Sequence, residues 1–363
     1  MAAVVCAAFV AVSSAVPAVH AEQEEFGDVQ EALEVLASSP EVVGAVGEVY
    51  VDGERVGRGS AGTRLIDGKG GRIPDGSRYR AGSQTKQMTG VVIMQLVQEG
   101  KLSLDAKLSD LLPEAAGKDL VERSDEITLR QLIQHTSGIP DWFDPKLVPF
   151  FDFTTRYSPM ELVRRSRSVP RSQEPGEKFS YSNTNYMLLG LIIERTTRHT
   201  VAAEFDQRIF EPLEMTRSHL RTGFPGAVEG PHGHGYYPDE KGRLHDFDRF
   251  NVSYGYAAGG VISTAHDLST FQRAFAANRL LPKELQDELL PPGAPQNPTP
   301  LCGGDPAFGT VAGSAPGFNS TTYNSRDGRI QFAMSATLAV DNADPRIHEL
   351  ISKAAEAVLC PAK

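Results

Sequence analysis

The sequence predicts an α+β fold, an antiparallel sheet flanked by helices, with an inserted all-helical lobe. Two stretches, Val42 to Leu65 and Phe318 to Leu338, alternate apolar and polar residues around Asp-Gly turns, as antiparallel hairpins do. Between them, residues 102 to 245 show helical spacing without strand runs. The two ends of the chain are therefore expected to form one sheet, and a cleft between the lobes is the expected place for a site.

The remaining elements follow from local patterns taken in chain order. Amphipathic spacing predicts a first helix near Val29 to Ala37, and Ser83 opens a helix whose apolar face continues until Gly100 offers a stop. Strand character returns at Gly259 to Ser263, and Pro345 to Leu359 predicts a final helix. Other helices are predicted in TLRQLIQHTSG, SPMELVRRSR, NTNYMLLGLIIERTTRH, AAEFDQRIFEPL, DLSTFQRAFAAN and PKELQDELL, and a loop in PPGAPQNPTP.

The N-terminus predicts export. Residues 1–21, MAAVVCAAFVAVSSAVPAVHA, are small and apolar and end in an A-x-A-like cleavage signal near Ala21, although they lack Lys and Arg. We therefore expect a secreted, extracellular protein. Its single domain would span 22–363, with an α/β lobe at about 25–82 and 246–363 and a helical lobe at about 83–245.

Composition excludes some classes of partner. The chain has 363 residues, 40% hydrophobic and 23% charged, which suits a globular protein with a substantial core. The net charge is −10, and no basic run with interleaved aromatic residues is present, so nucleic acid is not an expected partner. After the N-terminal segment, no apolar run approaches the roughly 18 residues that span a bilayer. We expect a monomer without a membrane span.

The three cysteines are relevant to the cellular compartment of the protein. Cys6 leaves with the predicted signal peptide, and Cys302 and Cys360 remain. Two cysteines in an exported chain favour a disulfide that closes the C-terminal segment, while two unpaired buried thiols are the alternative.

The first chemical candidate is the pair Ser83 and Lys86. Positions i and i+3 of a helix share a face, so the Lys86 ammonium can lie beside the Ser83 hydroxyl. Gly82 allows a tight turn into the helix, whose first N–H groups favour developing negative charge. A surface serine and lysine at a helix start are the alternative, since S-x-x-K occurs by chance about once in a chain this long.

The second candidate is Tyr181-Ser182-Asn183, at a junction between a loop and a helix. Tyr181 could exchange protons with Ser83 and a leaving group, and Asn183 could hold a substrate amide and orient Lys86. Alternatively, Ser182 or Asn183 only caps the next helix.

Four motifs together, GSQTK, HTSGIPDW, PGEKFSYSNTNY and AAGGVISTAHDL, resemble the serine β-lactamase and D-alanyl-D-alanine carboxypeptidase superfamily. The resemblance is nearest to secreted DD-carboxypeptidases of the class C β-lactamase fold. It implies that Ser83 is acylated, that Lys86 and Tyr181 share acid/base work, and that Asn183 binds substrate. It also implies an aromatic wall of the cleft at Tyr254 and a bridge between the two remaining cysteines, and Trp142 is expected to border the same cleft.

The third motif of that superfamily, H-T-G or K-T-G, is degenerate here. The corresponding stretch is Val311-Ala312-Gly313-Ser314, without a cation or the first hydroxyl, and residues 293–301 contain no Arg or Lys. Backbone N–H groups of Ser83 and Ser314 could still form an oxyanion hole beside Gly313. Binding of a free carboxylate is expected to be weaker, because charge-assisted contacts are worth roughly 1.5–3 kcal/mol each. Lys86 is the expected proton acceptor for Ser83.

The histidines are weaker candidates for catalysis or metal binding than the residues above. The HTSG stretch at His135 is expected to end a helix and fix a turn rather than to react. His232 and His234 could suggest a metal, but no third ligand is identifiable from the sequence, so we expect a polar loop, no metal and no cofactor.

The expected function is that of an exported serine hydrolase of the DD-carboxypeptidase type, which cleaves acyl-D-amino acid peptides or related amides and esters through a Ser83 acyl-enzyme. The expected partner is a small peptide, ester or β-lactam substrate. One alternative is an acyltransferase or esterase that uses the same acyl-enzyme. Another is a degenerate protein that binds penicillin or peptidoglycan without turnover.

Overall fold

A computed structural model describes the chain except at its ends and in four internal gaps. The described residues are 25–117, 120–224, 226–290, 301–302 and 308–360. The predicted signal peptide and the predicted loop PPGAPQNPTP at 291–300 lie outside them.

Strands from both ends of the chain form one antiparallel sheet, as the alternating patterns predict. Its order is β3-β2-β1-β11-β10-β9, so β1 pairs with β11 across nearly the whole length of the sequence. The two predicted hairpins are β1–β2 and β10–β11. The described strands are β1 (Val42–Val51), β2 (Glu54–Leu65), β3 (Lys69–Arg72), β4 (Tyr79–Arg80), β5 (His219–Leu220), β6 (Tyr236–Pro238), β7 (Leu244–Asp246), β8 (Val261–Ser263), β9 (Phe308–Ala315), β10 (Phe318–Ser325) and β11 (Ile330–Leu338).

Helices cover the sheet and fill the middle of the chain. The described helices are α1 (Val29–Ala37), α2 (Thr85–Gln98), α3 (Leu108–Leu111), α4 (Pro113–Gly117), α5 (Leu129–Ile133), α6 (Pro159–Ser166), α7 (Asn183–Thr197), α8 (Val201–Phe205), α9 (Tyr256–Gly259), α10 (Ala265–Ala276), α11 (Lys283–Asp287) and α12 (Pro345–Leu359). Two 3₁₀ turns, at Gly82–Gln84 and Val252–Tyr254, and a π turn at Asp206–Phe210 complete them.

Two apolar clusters hold these layers together. On one face of the sheet, α1 and α12 pack over β1 and β11. On the other face, α10 packs against β11, and a larger cluster continues from there through α2 and α7. Because both faces are covered, β11 is buried along its whole length, including its polar residues Gln331, Ser335 and Thr337.

Three short strands in the middle of the chain depart from the sequence prediction. Helices are the main regular elements of residues 83–245, but this part of the chain also contains β5, β6 and the start of β7. β5 joins β4 and β8 in a small sheet, and β6 pairs with β7. Strands of two or three residues are too short to show a period-two alternation, so their pairing depends on tertiary contacts. The β4-β8-β5 sheet leads the chain directly into the turn at Ser83.

Two observations concern the cellular location. The structure joins Cys302 to Cys360 by a disulfide, with Cα atoms 5.3 Å apart, which is compatible with an extracellular protein. Among the described helices, we find none with the length and apolar character needed to cross a bilayer.

Candidate active site

Ser83 lies in the turn before α2, at a place where β9 comes close to the backbone. It sits in the 3₁₀ turn that links β4 to α2, and Gly82 before it has a φ of +54°. A Cβ at Gly82 would lie 2.7 Å from the Ser314 nitrogen, and one at Gly313 would lie 2.7 Å from the Ser83 nitrogen. Glycine is therefore required at both positions, since a side chain at either would separate Ser83 from β9.

Gln84 anchors this turn to the sheet. Its side chain is 1% exposed, donates to Ser320 Oγ at 2.9 Å and accepts from Thr322 Oγ1 at 2.9 Å. Both partners belong to β10, so the amide fixes the turn of Ser83 relative to the sheet. A buried amide with both ends paired stabilises this orientation, because an unpaired buried polar group is costly.

Lys86 brings three segments of the chain together. Its Nζ lies 3.1 Å from Ser83 Oγ, 2.8 Å from Asn183 Oδ1 and 2.7 Å from the carbonyl oxygen of Ala258. The side chain is buried, and its nitrogen also lies 4.9 Å from the centroid of the Tyr181 ring. The amine thus has a hydrogen-bond partner in each of three directions, one of which is the Ser83 hydroxyl.

Tyr181 completes the group around Ser83. Its hydroxyl lies 2.7 Å from Ser83 Oγ, and the residue is 44% exposed and lines the cleft, so the phenol reaches both the serine and the open cleft. Ser83, Lys86, Tyr181 and Asn183, which the sequence places in two separate motifs, thus lie together.

His135 supports Tyr181 from behind. The two rings stack with centroids 4.5 Å apart, and His135 Nδ1 accepts a hydrogen bond from the Ser182 backbone N–H at 3.1 Å. Burial lowers the pKa of His135 to about 3, and the charge of Lys86 acts in the same direction. The imidazole is neutral near pH 7 and positions the loop of Tyr181, in agreement with the expectation that it fixes a turn.

Asp141 is a residue of the site that the sequence analysis missed. Its carboxylate accepts the Asn183 side-chain Nδ2–H at 2.8 Å and the Asn183 backbone N–H at 3.2 Å. Asn183 Oδ1 is thereby turned toward Lys86. Burial raises the pKa of the Asp141 carboxyl, while hydrogen bonds from Phe143 and Asn183 oppose this shift. Its only sequence signal is the carboxylate that directly follows Gly-Ile-Pro in HTSGIPDW.

A cavity of about 390 Å³ opens in front of Ser83. Tyr254, Phe143 and Phe250 form an aromatic wall, of which the sequence identified only Tyr254. The described residues that line the cavity are Ser83, Phe143, Tyr181, Asn183, Phe250, Tyr254, Gly255, Ala258, Gly259, Ala312, Gly313, Ser314, Ala315 and Asn319. None of these is an Asp, Glu, Lys, Arg or His.

Trp142 does not border the cleft, and that expectation is wrong. Its side chain is completely buried, and its ring centroid lies 5.5 Å from that of Tyr254, so it supports the wall from behind. The next residue, Phe143, faces the cavity instead. Packing decides which of two adjacent aromatic residues in a loop faces a cleft, and no periodicity in the sequence indicates the outcome.

The family model described as Beta-lactamase matches residues 29–355, which is nearly all of the chain. The chain belongs to this family. It is thus a member of the serine β-lactamase and penicillin-binding protein superfamily, as its motifs suggested.

Curated relatives align with this Beta-lactamase family member over part of their length. "Protein flp" of Staphylococcus aureus (strain COL) is 33% identical over 152 residues, 40% of this chain and 28% of that protein. "Penicillin-binding protein 4" of Amycolatopsis lactamdurans is 32% identical over 189 residues, 52% of this chain and 48% of that protein. The matches span between about a quarter and a half of these relatives.

Solved structures align over almost the whole fold. A D-stereospecific amidohydrolase from Streptomyces sp. is 28% identical with a TM-score of 0.73, over 92% of this chain and 98% of that chain. A D-amino acid amidase from Ochrobactrum anthropi SV3, complexed with L-phenylalanine amide, is 21% identical with a TM-score of 0.74, over 91% and 97% of the two chains. The second likeness shows the fold alone.

If Asp141 orients Asn183, then Asp141→Asn should lower kcat/KM by roughly 10- to 100-fold, the size expected for charge-assisted hydrogen bonds worth about 1.5–3 kcal/mol. We expect the thermal midpoint to change little and kcat to carry most of the loss, because Lys86 loses its fixed partner. The matched control is Asp144→Asn, whose carboxylate accepts, among the described residues, from its own loop at the Lys146 N–H. Equal activity of the two variants would contradict the positioning role.

The lowered pKa of His135 makes stability depend on pH. The unfolded chain takes up a proton at this position near pH 6.5, whereas the folded chain resists protonation down to about pH 3. The stability from the neutral imidazole is present above pH 6.5 and falls by about 1.4 kcal/mol per pH unit below it. His135→Asn removes the titration, tolerates the φ of +55° and keeps an acceptor for Ser182.

Urea unfolding at pH 6.5 and 4.5 measures this effect. The wild type should lose roughly 2–3 kcal/mol more than His135→Asn over that interval. Parallel losses in wild type and His135→Asn would show that the buried imidazole does not carry the pH dependence.

Proposed function

We propose that this protein hydrolyses small amides or esters of D-amino acids that lack a free terminal carboxylate, through an acyl-enzyme on Ser83. The observation that carries the proposal is the convergence of Ser83, Lys86, Tyr181 and Asn183 at one end of a cavity whose described lining has no charged side chain. The D-stereospecific amidohydrolase from Streptomyces sp., which is 28% identical, supports the choice of substrate class.

Lys86 acts as the base in acylation. As a neutral amine it would donate its two N–H bonds to Asn183 Oδ1 and the Ala258 carbonyl, and its lone pair would face the Ser83 hydroxyl. When Ser83 Oγ attacks the substrate carbonyl, its proton passes to Lys86 Nζ. The resulting ammonium has three donors for the same three oxygens, so the proton transfer needs no rearrangement.

The oxyanion of the tetrahedral intermediate is bound by backbone N–H groups. Ser83 and Ser314 both line the cavity, and their backbones approach each other because Gly82 and Gly313 lack side chains. Main-chain donors are independent of the degenerate side chains at Val311 and Ala312. A substituted third motif is therefore compatible with acylation.

Tyr181 acts as the acid for the leaving group. Its hydroxyl lies 2.7 Å from Ser83 Oγ, so its proton can reach the nitrogen that departs as the C–N bond breaks. The Lys86 ammonium then returns a proton to the Tyr181 phenolate by way of a water molecule, because Ser83 Oγ is an ester oxygen at this stage and has no proton to pass on. Water then attacks the Ser83 ester, releases the carboxylic acid and restores the serine hydroxyl.

The cavity lining favours substrates without a free terminal carboxylate. A DD-carboxypeptidase must bind such a carboxylate, and a cation that does so contributes roughly 1.5–3 kcal/mol. The described lining offers Ala312, Ser314 and Asn319 at the β9–β10 edge, and none of them carries a charge. We therefore expect amides and esters to be better substrates than the free acids that a DD-carboxypeptidase cleaves. Export remains part of the proposal.

The two proton carriers can be separated by varying the leaving group. Tyr181→Phe should lower the hydrolysis of a D-amino acid amide by roughly 10²- to 10⁴-fold, because the departing amine must be protonated. The same variant should affect a p-nitrophenyl ester much less, because its leaving phenolate needs no proton. Lys86→Met should lower both reactions, since both require activation of Ser83.

Single-turnover kinetics and mass spectrometry of the acyl-enzyme provide the measurement. Ser83→Ala serves as the control and should form no acyl adduct. Equal losses for amide and ester in Tyr181→Phe would contradict the role of Tyr181 as acid to the leaving group. Adduct formation in Ser83→Ala would contradict the nucleophile itself.

A substrate panel tests the expected class. We expect D-phenylalanine amide and the methyl ester of an acyl-D-Ala-D-Ala peptide to exceed the free-acid peptide by at least about 10-fold in kcat/KM, given the missing cation. Ala312 is exposed and lines the cavity, so Ala312→Lys should shift the ratio toward the free acid. Ala312→Gln is the matched control, with a long side chain but no charge.

Other outcomes identify the alternatives. A free acid preferred by the wild type would support a DD-carboxypeptidase and overturn our order of substrates. New amide products after addition of an amine would identify an acyltransferase. A stable adduct with a β-lactam and no turnover of any amide or ester would identify a binding protein, and the hydrolase proposal would then be wrong.

A further inference from the structure

A second cluster of chemically capable side chains lies outside the cleft, in the segment between β5 and α9. His232, His234 and Asp248 each offer one ligand atom, and these atoms lie within 4.8 Å of one another. The two imidazole rings are nearly parallel, with centroids 5.0 Å apart. His232 and Asp248 are buried and His234 is partly exposed, so the cluster can be reached from solvent on one side.

The hydrogen bonds of His232 indicate a cation site. Its Nδ1 lies 2.6 Å from the carbonyl oxygen of Gly230, and its Nε2 lies 2.6 Å from Asp248 Oδ1. Both oxygens are acceptors, whereas a neutral imidazole has a single N–H to donate. A metal ion between Nε2 and Asp248 would leave the one proton on Nδ1, directed at a backbone carbonyl, as is usual for metal-binding histidines.

His234 is oriented in the corresponding way. Its Nδ1 lies 2.8 Å from Asp246 Oδ2, which leaves Nε2 available as a ligand atom. A carboxylate behind a histidine fixes the ring and makes the other nitrogen a better ligand. Each of the two histidines therefore has one ring nitrogen held by an oxygen acceptor, and the ligand set would be two imidazole nitrogens and one carboxylate.

We propose that His232, His234 and Asp248 bind one divalent transition-metal ion of the Zn²⁺ class. Two imidazoles and a carboxylate suit tetrahedral Zn²⁺ with water as the fourth ligand. Mg²⁺ and Ca²⁺ prefer oxygen ligands and do not suit this set. With metal–ligand bonds of about 2.0–2.1 Å, the 2.6 Å gap between His232 Nε2 and Asp248 Oδ1 would open to roughly 3.3 Å.

The position of this site gives it a structural role. Arg80 in β4 donates to the backbone oxygens of Gly226 and Asp248, so it ties this segment to the strand that precedes Ser83. Phe250, two residues beyond Asp248, belongs to the aromatic wall of the cavity. A bound ion would hold that wall in place without touching the substrate. The proposal is independent of the reaction at Ser83.

The charged side chains around the proposed metal site nearly balance one another. The guanidinium of Arg80 and that of Arg64, which donates to the His232 carbonyl oxygen, oppose a cation. The carboxylates of Asp246 and Asp248 offset them. The ligand atoms, rather than a general negative field, must therefore provide the affinity.

Metal binding by the purified full chain tests the proposal directly. After treatment with a chelator and dialysis, the protein is exposed to Zn²⁺, Co²⁺ or Mg²⁺ and passed through a desalting column. We expect one Zn²⁺ per chain by elemental analysis and visible absorption from tetrahedral Co²⁺, with no retention of Mg²⁺. These readouts do not depend on hydrolysis, so they remain informative if the proposed reaction is wrong.

Substitutions test which residues bind the metal ion. His234→Gln should abolish stoichiometric Zn²⁺ binding, and Asp246→Asn, which alters the support of His234 Nδ1 and of the Asp248 backbone N–H, should weaken it by roughly 10- to 100-fold. The matched control is His199→Gln, because His199 also lies beside a carboxylate, that of Glu204, and lies outside the cluster. His234 is partly exposed, so its replacement is expected to leave the fold intact, which circular dichroism checks.

Two results would overturn the proposal. The first is less than one tenth of an equivalent of Zn²⁺ retained by the wild type at neutral pH. The second is equal Zn²⁺ binding by His234→Gln and His199→Gln. Either would show that the cluster is a buried pair of hydrogen-bonded histidine and carboxylate groups and nothing more.

Discussion

The burial of Lys86 constrains the whole centre of the molecule. A buried amine is stable only if oxygen acceptors surround it, because the cost of removing it from water is several kcal/mol. Those oxygens come from Ser83, Asn183 and Ala258, which belong to three helical segments far apart in the chain. The helices must therefore meet at one point, and the nucleophile is placed by the same contacts that satisfy the lysine.

Around this point, a second layer of residues fixes the orientation of the first. Asp141 sets the direction of the Asn183 amide, His135 supports the ring of Tyr181, and Gln84 anchors the turn of Ser83 to β10. None of the three side chains faces the cavity. They keep proton carriers at hydrogen-bond distance from Ser83, which general acid and base chemistry requires.

Much of the fold follows from the sequence because its signals are local. The hairpin patterns, the amphipathic helices α1 and α12 and the turn at Asp52-Gly53 each depend on residues that are close in sequence. The strands β5, β6 and β7 are too short to carry such a pattern, and they form only because larger elements bring their partners close. The same reason explains Trp142 and Phe143, whose directions are set by packing around Tyr254.

The sequence by itself determined the spacing of Ser83 and Lys86, because helix geometry places residues three apart on one face. It also identified Tyr181 and Asn183 as candidates through their motif. Only the tertiary structure decided that Asp141 lies behind Asn183, that Phe143 and Phe250 line the cavity, and that Asp248 joins the two histidines. Some of these relations join residues that are distant in the chain, and others decide which of two neighbouring residues faces the cavity. Only packing in the folded protein determines them.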